Sequence, residues 1–271
     1  MLPYLGIGLG LAVLVWLPAS EYVDAAKRAE VSDQVSAAAE EADDALVEEL
    51  LRQAYVFNAV VAGDADAAAG MDLLDYDDQL SLTGHDTAFA SLVVPSISLT
   101  MPVYHGTDDA ALSAGAGHLE GSSLPVGGAS THAVISAHSG LTGSQGFDRI
   151  VELEEGDLIY VKVLGQTLAY EVTGSEVVEP DETESLAVAA GEDLLTLVTC
   201  WPYGVNTHRL LVHAQRTELP EDADDSSSSA LSAAASSGRL SPLLAVLAVL
   251  AAAGLFSAIR RRAAADRRIK T

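Results

Sequence analysis

The chain has 271 residues, 49% hydrophobic and only 5% aromatic, with one cysteine and a formal net charge of −25. That length and apolar content suffice for one sizeable domain plus membrane segments. The lone Cys200 excludes an intramolecular disulfide framework, and the acidic balance argues against a nucleic-acid partner, whose phosphates it would repel. A cationic partner, such as a lysine-bearing surface, is compatible with it; so is a plainly solvated acidic exterior.

In chain order, Leu2 to Pro18 is apolar and uncharged. It reads as a membrane anchor over residues 1–20, or as a signal-peptide core. No Lys or Arg precedes it, and PAS is a poor cleavage site, which favours an uncleaved anchor. Residues 21–60 are rich in Ala and Glu, with Val31, Val35, Leu46, Leu50 and Leu51 at helical spacings. This predicts one or two amphipathic helices. Residues 61–88, including GDADAAAG, read as an irregular segment lying over the domain and a candidate lid.

From 89 to 217 the signal becomes short β-rich runs broken by Gly, Pro and Asn: ASLVVPSISL, THAVISAH, DLIYVKV, TLAYEV, LLTLVTC and HRLLVHAQ. Leu164-Gly165-Gln166 makes a hairpin turn between two of them. Many short strands with few helices predict a mainly β fold, a barrel or a sandwich. PEDADDSSSSALSAAASSG, within 218–239, is a polar flexible linker. Residues 240–259, LSPLLAVLAVLAAAGLFSAI, hold no charge and span about 30 Å as a helix, enough to cross a bilayer core. The tail 260–271 carries Arg260, Arg261, Arg262, Arg267, Arg268 and Lys270, six of the 14 basic residues, against one of the 39 acidic ones. By the positive-inside rule it is cytoplasmic, and the domain before the helix is extracellular.

The chemistry centres on TLVTCWPYGVNTHRL, residues 196–210. Alternation along LLTLVTC puts Cys200 on one face with Val198 and Thr196, at the strand end. If the next strand pairs antiparallel, Cys200 lies near Arg209. A fixed cation favours the thiolate, the nucleophilic form, which is only a few per cent of an ordinary thiol at pH 7. The guanidinium fork also suits a carbonyl or a developing oxyanion. A lone Cys ending an apolar strand is equally a packed core thiol. Of His85, His105, His118, His132, His138, His208 and His213, His138 is the best acid/base candidate, because it ends an apolar run and enters a loop. His132 and His208 stand at strand starts and can be ordinary rim residues. Spacing alone does not choose among them. One Cys and scattered His give no zinc-ligand spacing, so neither metal nor cofactor is expected.

TLVTCWPYGVNTHRLLV resembles the active-site signature of the sortases, cysteine transpeptidases of Gram-positive surfaces. It is specifically similar to the class C, pilin-polymerising subgroup. VYHG (103–106), the GAGHLEGSSLPVGGASTH run (115–132), SAHSGL (136–141), VLGQTLAY (163–170) and VVEP (177–180) match that subgroup in order, over roughly residues 89–216. The resemblance implies a closed eight-stranded sortase-type β-barrel with an N-terminal helical extension and a membrane anchor. It implies Cys200 as nucleophile, His138 as general acid/base and Arg209 as oxyanion stabiliser, with His208 structural. The implied reaction cleaves an LPxTG-like sorting signal through a thioester and passes the acyl group to a pilin lysine amine. The implied alternatives are a sortase that anchors proteins to peptidoglycan and, apart from the family, a non-enzymatic pilus scaffold or adhesin; a plain secreted cysteine hydrolase has no papain-like motif to support it. Departures from the subgroup are informative. No Asp-Pro-aromatic lid tripeptide occurs between 55 and 90, Trp201 fills a usually small polar position, and Ser139 and His213 stand where Arg is common.

Overall fold

The computed structural model describes residues 26–84, 86–139 and 146–220. The apolar stretches 2–18 and 240–259, the linker and the basic tail lie outside them. Among the described residues no helix is long and apolar enough to cross a membrane.

Helix α1 covers 26–41 and α2 runs Asp44–Val61. Asp43 caps α2, its carboxylate accepting from the Ala45 amide at 3.0 Å, which satisfies one of the free N–H groups of the first turn. Eight strands follow: β1 Ala90–Val94, β2 Leu99–His105, β3 Ala116–His118, β4 Thr131–Ser136, β5 Leu158–Val163, β6 Gln166–Val178, β7 Asp193–Trp201 and β8 His208–Thr217. They close into a barrel in the order β1-β2-β3-β4-β7-β8-β6-β5. Two neighbours, β2/β3 and β4/β7, are parallel, and the other pairs are antiparallel. Closure leaves no free sheet edge.

Local sequence explains the breaks. ASLVVPSISL is two strands, not one, because Pro95 opens a 3-10 turn and Ser98 adopts a left-handed conformation. The β5–β6 hairpin turns on Leu164 and Gly165, both at positive φ, as a tight turn of this hand requires. The parallel β2–β3 pair needs a crossover, supplied by the short helix α3, Asp109–Ala114. Here Gly117 is obligatory: a Cβ would sit 2.2 Å from the Gly106 carbonyl oxygen.

Alternate residues fill the interior: Ala133, Ile135 and Ala137 from β4 and its exit, Leu195 and Leu197 from β7, Leu210 and Val212 from β8. The N-terminal helices are built in by side-chain amides. Asn58, 3% exposed, donates from Nδ2 to the Leu124 carbonyl at 2.9 Å and accepts from the Leu124 amide at 2.7 Å. Gln53 does the same for Asp72 and Leu74 at 3.3 and 3.1 Å. The buried stripe of α2 is therefore Leu50, Gln53, Ala54 and Asn58, whereas Leu46, expected on the apolar face, is 45% exposed. Residues 62–84 cross the barrel with Leu80 buried and Tyr76 docked on β2 and β3. The Tyr76 hydroxyl accepts from the Gly106 amide at 3.0 Å and meets His118 Nδ1 at 2.9 Å.

Candidate active site

The three residues singled out in the sequence come from three elements that end on one side of the barrel. Cys200, the penultimate residue of β7, is half-buried and unpaired as a thiol. Its direct partner across the antiparallel β7–β8 ladder is Arg209, and Arg209 in turn faces Val178, the last residue of β6. The β4–β7 ladder ends at Ser136 opposite Val198. Two residues on, His138 continues on the face that Cys200 occupies. Val178, Arg209, Cys200 and His138 thus form one transverse row on the outer face.

Backbone clasps hold the β4 end of this row. The Ala137 amide donates to the Val198 carbonyl at 3.2 Å, and the Thr199 hydroxyl donates to the Ala137 carbonyl at 2.8 Å. The Ser139 hydroxyl donates to the Cys200 carbonyl at 2.7 Å, and the Phe147 amide returns to the His138 carbonyl at 2.8 Å. His138 is therefore fixed through its backbone on both sides. Gly146 packs tightly against it: a Cβ there would stand 2.0 Å from the His138 carbonyl oxygen. On the other side Arg209 Nη1 donates to the Asn206 and His208 carbonyls at 3.4 and 3.0 Å. Among the described residues it has no carboxylate partner, so its charge is not neutralised beside the thiol. A half-buried thiol, a histidine and an unpaired guanidinium in one row can form and stabilise a covalent acyl intermediate.

The other histidines take distinct places. His208 is exposed, its Nδ1 2.9 Å from the Thr207 hydroxyl. His132 is not a rim residue: it is 2% exposed, with Nε2 2.7 Å from the Thr196 hydroxyl and Nδ1 3.0 Å from the Ala187 carbonyl. His118 is enclosed between Tyr76 and the Ser123 carbonyl, 2.8 Å from Nε2, and burial pushes its pKa down to about 4. His105 is pushed down to about 4 for the same reason. His85 lies outside the described residues. Sequence reading missed Ser139 and Thr199 as clasps. Thr199 carried a signal, a hydroxyl on the inward-facing side of an apolar strand; Ser139 stood out only as a departure from Arg. A cavity of about 270 Å³ between α1 and the barrel, lined by Val31, Val35, Leu80, Phe89 and Tyr104, includes none of the row. Among the described residues no group of three or more His, Cys, Asp or Glu is placed to hold a metal ion.

Residues 92–217 match the sortase domain. The chain is 36% identical to sortase C from Clostridium perfringens, a structure determined with the C-terminal cell wall sorting motif. That likeness has a TM-score of 0.62 and covers 70% of this chain and 99% of that one. The chain belongs to the sortase family. Sortases are cysteine transpeptidases, and the solved neighbours of this one include class C members. Sortase C1 of GBS pilus island 1 is 34% identical, with a TM-score of 0.62, covering 72% of this chain and 94% of that one. Sortase A of Streptococcus agalactiae serotype III is 30% identical over 127 residues, 46% of this chain and 51% of that protein. This sortase thus spans about half the length of that curated relative.

Proposed function

We propose that this sortase is a membrane-anchored transpeptidase that cleaves LPxTG-like sorting signals and transfers the acyl group to a lysine amine of a pilin. The observation that carries the reading is the transverse row, with Cys200 directly opposite Arg209 and His138 beside it at the exit of β4. Cys200 attacks the Thr–Gly carbonyl, and Arg209 steadies the tetrahedral oxyanion. His138 protonates the leaving glycine amine, leaving an LPxT thioester on Cys200. An incoming amine must be neutral to attack, so His138 then accepts its proton and the thiolate leaves as the amide forms.

The pilin reading draws on the class C neighbours, among them one from a pilus island and one determined with a sorting motif. The apolar stretch 240–259 and the basic tail support a C-terminal anchor with the barrel outside the cell. Tethering enzyme and substrate to one membrane raises their effective concentration.

The test is an intact mass of the full-length protein in detergent after incubation with an LPETG peptide. A gain equal to the LPET acyl group, absent in Cys200→Ala, is expected; an unmodified Cys200 refutes the assignment. Adding a lysine-bearing pilin peptide or a peptidoglycan stem peptide then identifies the acceptor. Product with only the stem peptide overturns the pilin reading and leaves the chemistry intact.

A further inference from the structure

Four strands below the row share a polar feature that the reaction above does not use. On the outer face of β4, β7, β8 and β6, a hydrogen-bonded chain runs Ala187 carbonyl, His132, Thr196, His213, Glu176. The steps are 3.0 Å from the carbonyl to His132 Nδ1 and 2.7 Å from His132 Nε2 to the Thr196 hydroxyl. They continue with 2.9 Å from that hydroxyl to His213 Nδ1 and 3.2 Å from His213 Nε2 to Glu176 Oε1. Glu176 also takes a side-chain hydrogen bond from Ser185. Thr196 is 0% exposed and Leu211 1%, although alternation turns both away from the barrel interior. Something covers them, and residues 179–192, the β6–β7 connection, supply Ser185 and the Ala187 carbonyl that meet the chain.

The donors can be ordered. A carbonyl only accepts, so His132 Nδ1 carries a proton; burial holds His132 below its ordinary pKa and keeps it neutral, so Nε2 is an acceptor. Thr196 therefore donates to His132, and its one proton is used. It must then accept from His213 Nδ1–H, and His213 Nε2 can donate to Glu176 only from a doubly protonated ring. Thr196 is the single hydroxyl joining two imidazoles, and both ends of the chain grip the same connection, at 185 and 187.

The connection leaves β6 at Val178, the residue opposite Arg209, and returns to β7 at the far end from Cys200. It therefore flanks the outer face of β7 and β8 that leads up to the thiol. We propose that Thr196, through His132 and His213, is a positioning residue for donor binding: it sets the β6–β7 connection as one wall of the sorting-peptide trough. This rests on the transpeptidase reading. Thr196 lies four residues from Cys200, roughly 13 Å along the strand, so it acts on the wall and not on the reacting atoms.

The experiment compares the full-length protein in detergent with Thr196→Val and Thr196→Ser. Hydrogen exchange is read over 184–190, and KM and kcat are read for LPETG-peptide cleavage. Thr196→Val leaves two imidazoles without their shared partner. Exchange rises about tenfold and KM about three- to tenfold, while kcat stays within about twofold; Thr196→Ser restores both. Glu176→Ala, at an exposed end of the chain, gives the same direction without opening a buried gap and serves if Thr196→Val does not fold. Unchanged exchange shows that the chain does not fasten the connection, and faster exchange with unchanged KM shows that the connection is not a wall. Either result overturns the proposal. A wild-type protein that never cleaves the peptide overturns the transpeptidase reading instead, and exchange still decides whether Thr196 fastens the connection.

Discussion

The Ser139 hydroxyl donates to the carbonyl of Cys200 at 2.7 Å, tying the residue after the histidine to the backbone of the thiol. With the Ala137–Val198 and Thr199–Ala137 bonds it holds the two strand ends together, and it is the one that reaches Cys200 itself. Ser139→Ala is expected to slow acylation about tenfold with KM little changed, and Ser139→Thr to keep most of the rate. Rapid-quench mass spectrometry of the acyl-enzyme reads both. Equal rates in Ser139→Ala and wild type refute a positioning role.

Arg209 donates from Nη1 to the Asn206 and His208 carbonyls and has no carboxylate partner among the described residues. Arg209→Lys keeps the charge and loses the planar pair of donors. Its kcat/KM is expected to fall by about 10² to 10³, the cost of one oxyanion donor. A tenfold or smaller loss in steady-state assays shows that charge alone is what Arg209 supplies.

Gly146 leaves no room for a methyl group, since its Cβ would meet the His138 carbonyl oxygen at 2.0 Å. Gly146→Ala must displace that carbonyl or the Phe147 amide bound to it. A loss of about 1–3 kcal/mol in urea unfolding is expected, along with slowed acylation. A variant as stable and as fast as wild type contradicts the close approach of Gly146 to His138.

Stability depends on acid through histidines whose charged forms burial disfavours, His118 and the partly buried His105 most strongly. His118 and His105 titrate near 4 in the folded protein because burial disfavours their charged forms. Unfolded, they titrate near 6.5, so between about pH 6.5 and 4 the unfolded chain binds the protons first. Stability is complete above about pH 6.5 and falls as pH drops toward 4, by on the order of 3 kcal/mol for His118 and less for the more accessible His105. Urea unfolding at pH 7.5, 6.0 and 4.5 shows the decline; a flat profile excludes it.

Much of the barrel is legible in the runs themselves, because half-buried strands alternate and their turns need Gly or Pro. Cys200 opposite Arg209 follows from one antiparallel assumption about two adjacent strands. Other features escape for physical reasons. β3 is three residues long, too short for any periodicity to register in GAGHLEG. The buried side of α2 is half polar, with Gln53 and Asn58 satisfied by distant backbone groups, so an apolar stripe points to Leu46 instead. His132 looked like a rim residue because its partners, Thr196 and Ala187, lie 64 and 55 positions away in sequence. Spacing does not encode contacts of that range, and the choice of His138 among seven histidines came from the family resemblance.

The two bonds between Asn58 and Leu124 have a consequence for where this molecule can be cut. The amide side chain offers one acceptor and one donor to a single residue, as the backbone of a neighbouring strand would. The helical hairpin therefore acts as a sheet partner for the Leu124 amide, while the Leu124 carbonyl also accepts from the Val126 amide at 2.8 Å. A barrel severed at residue 89 keeps all eight strands and every member of the transverse row, yet strands the Leu124 amide and uncovers the surface under Leu50 and Ala54. The catalytic unit is not portable by itself: residues 44–61 travel with it as part of its wall.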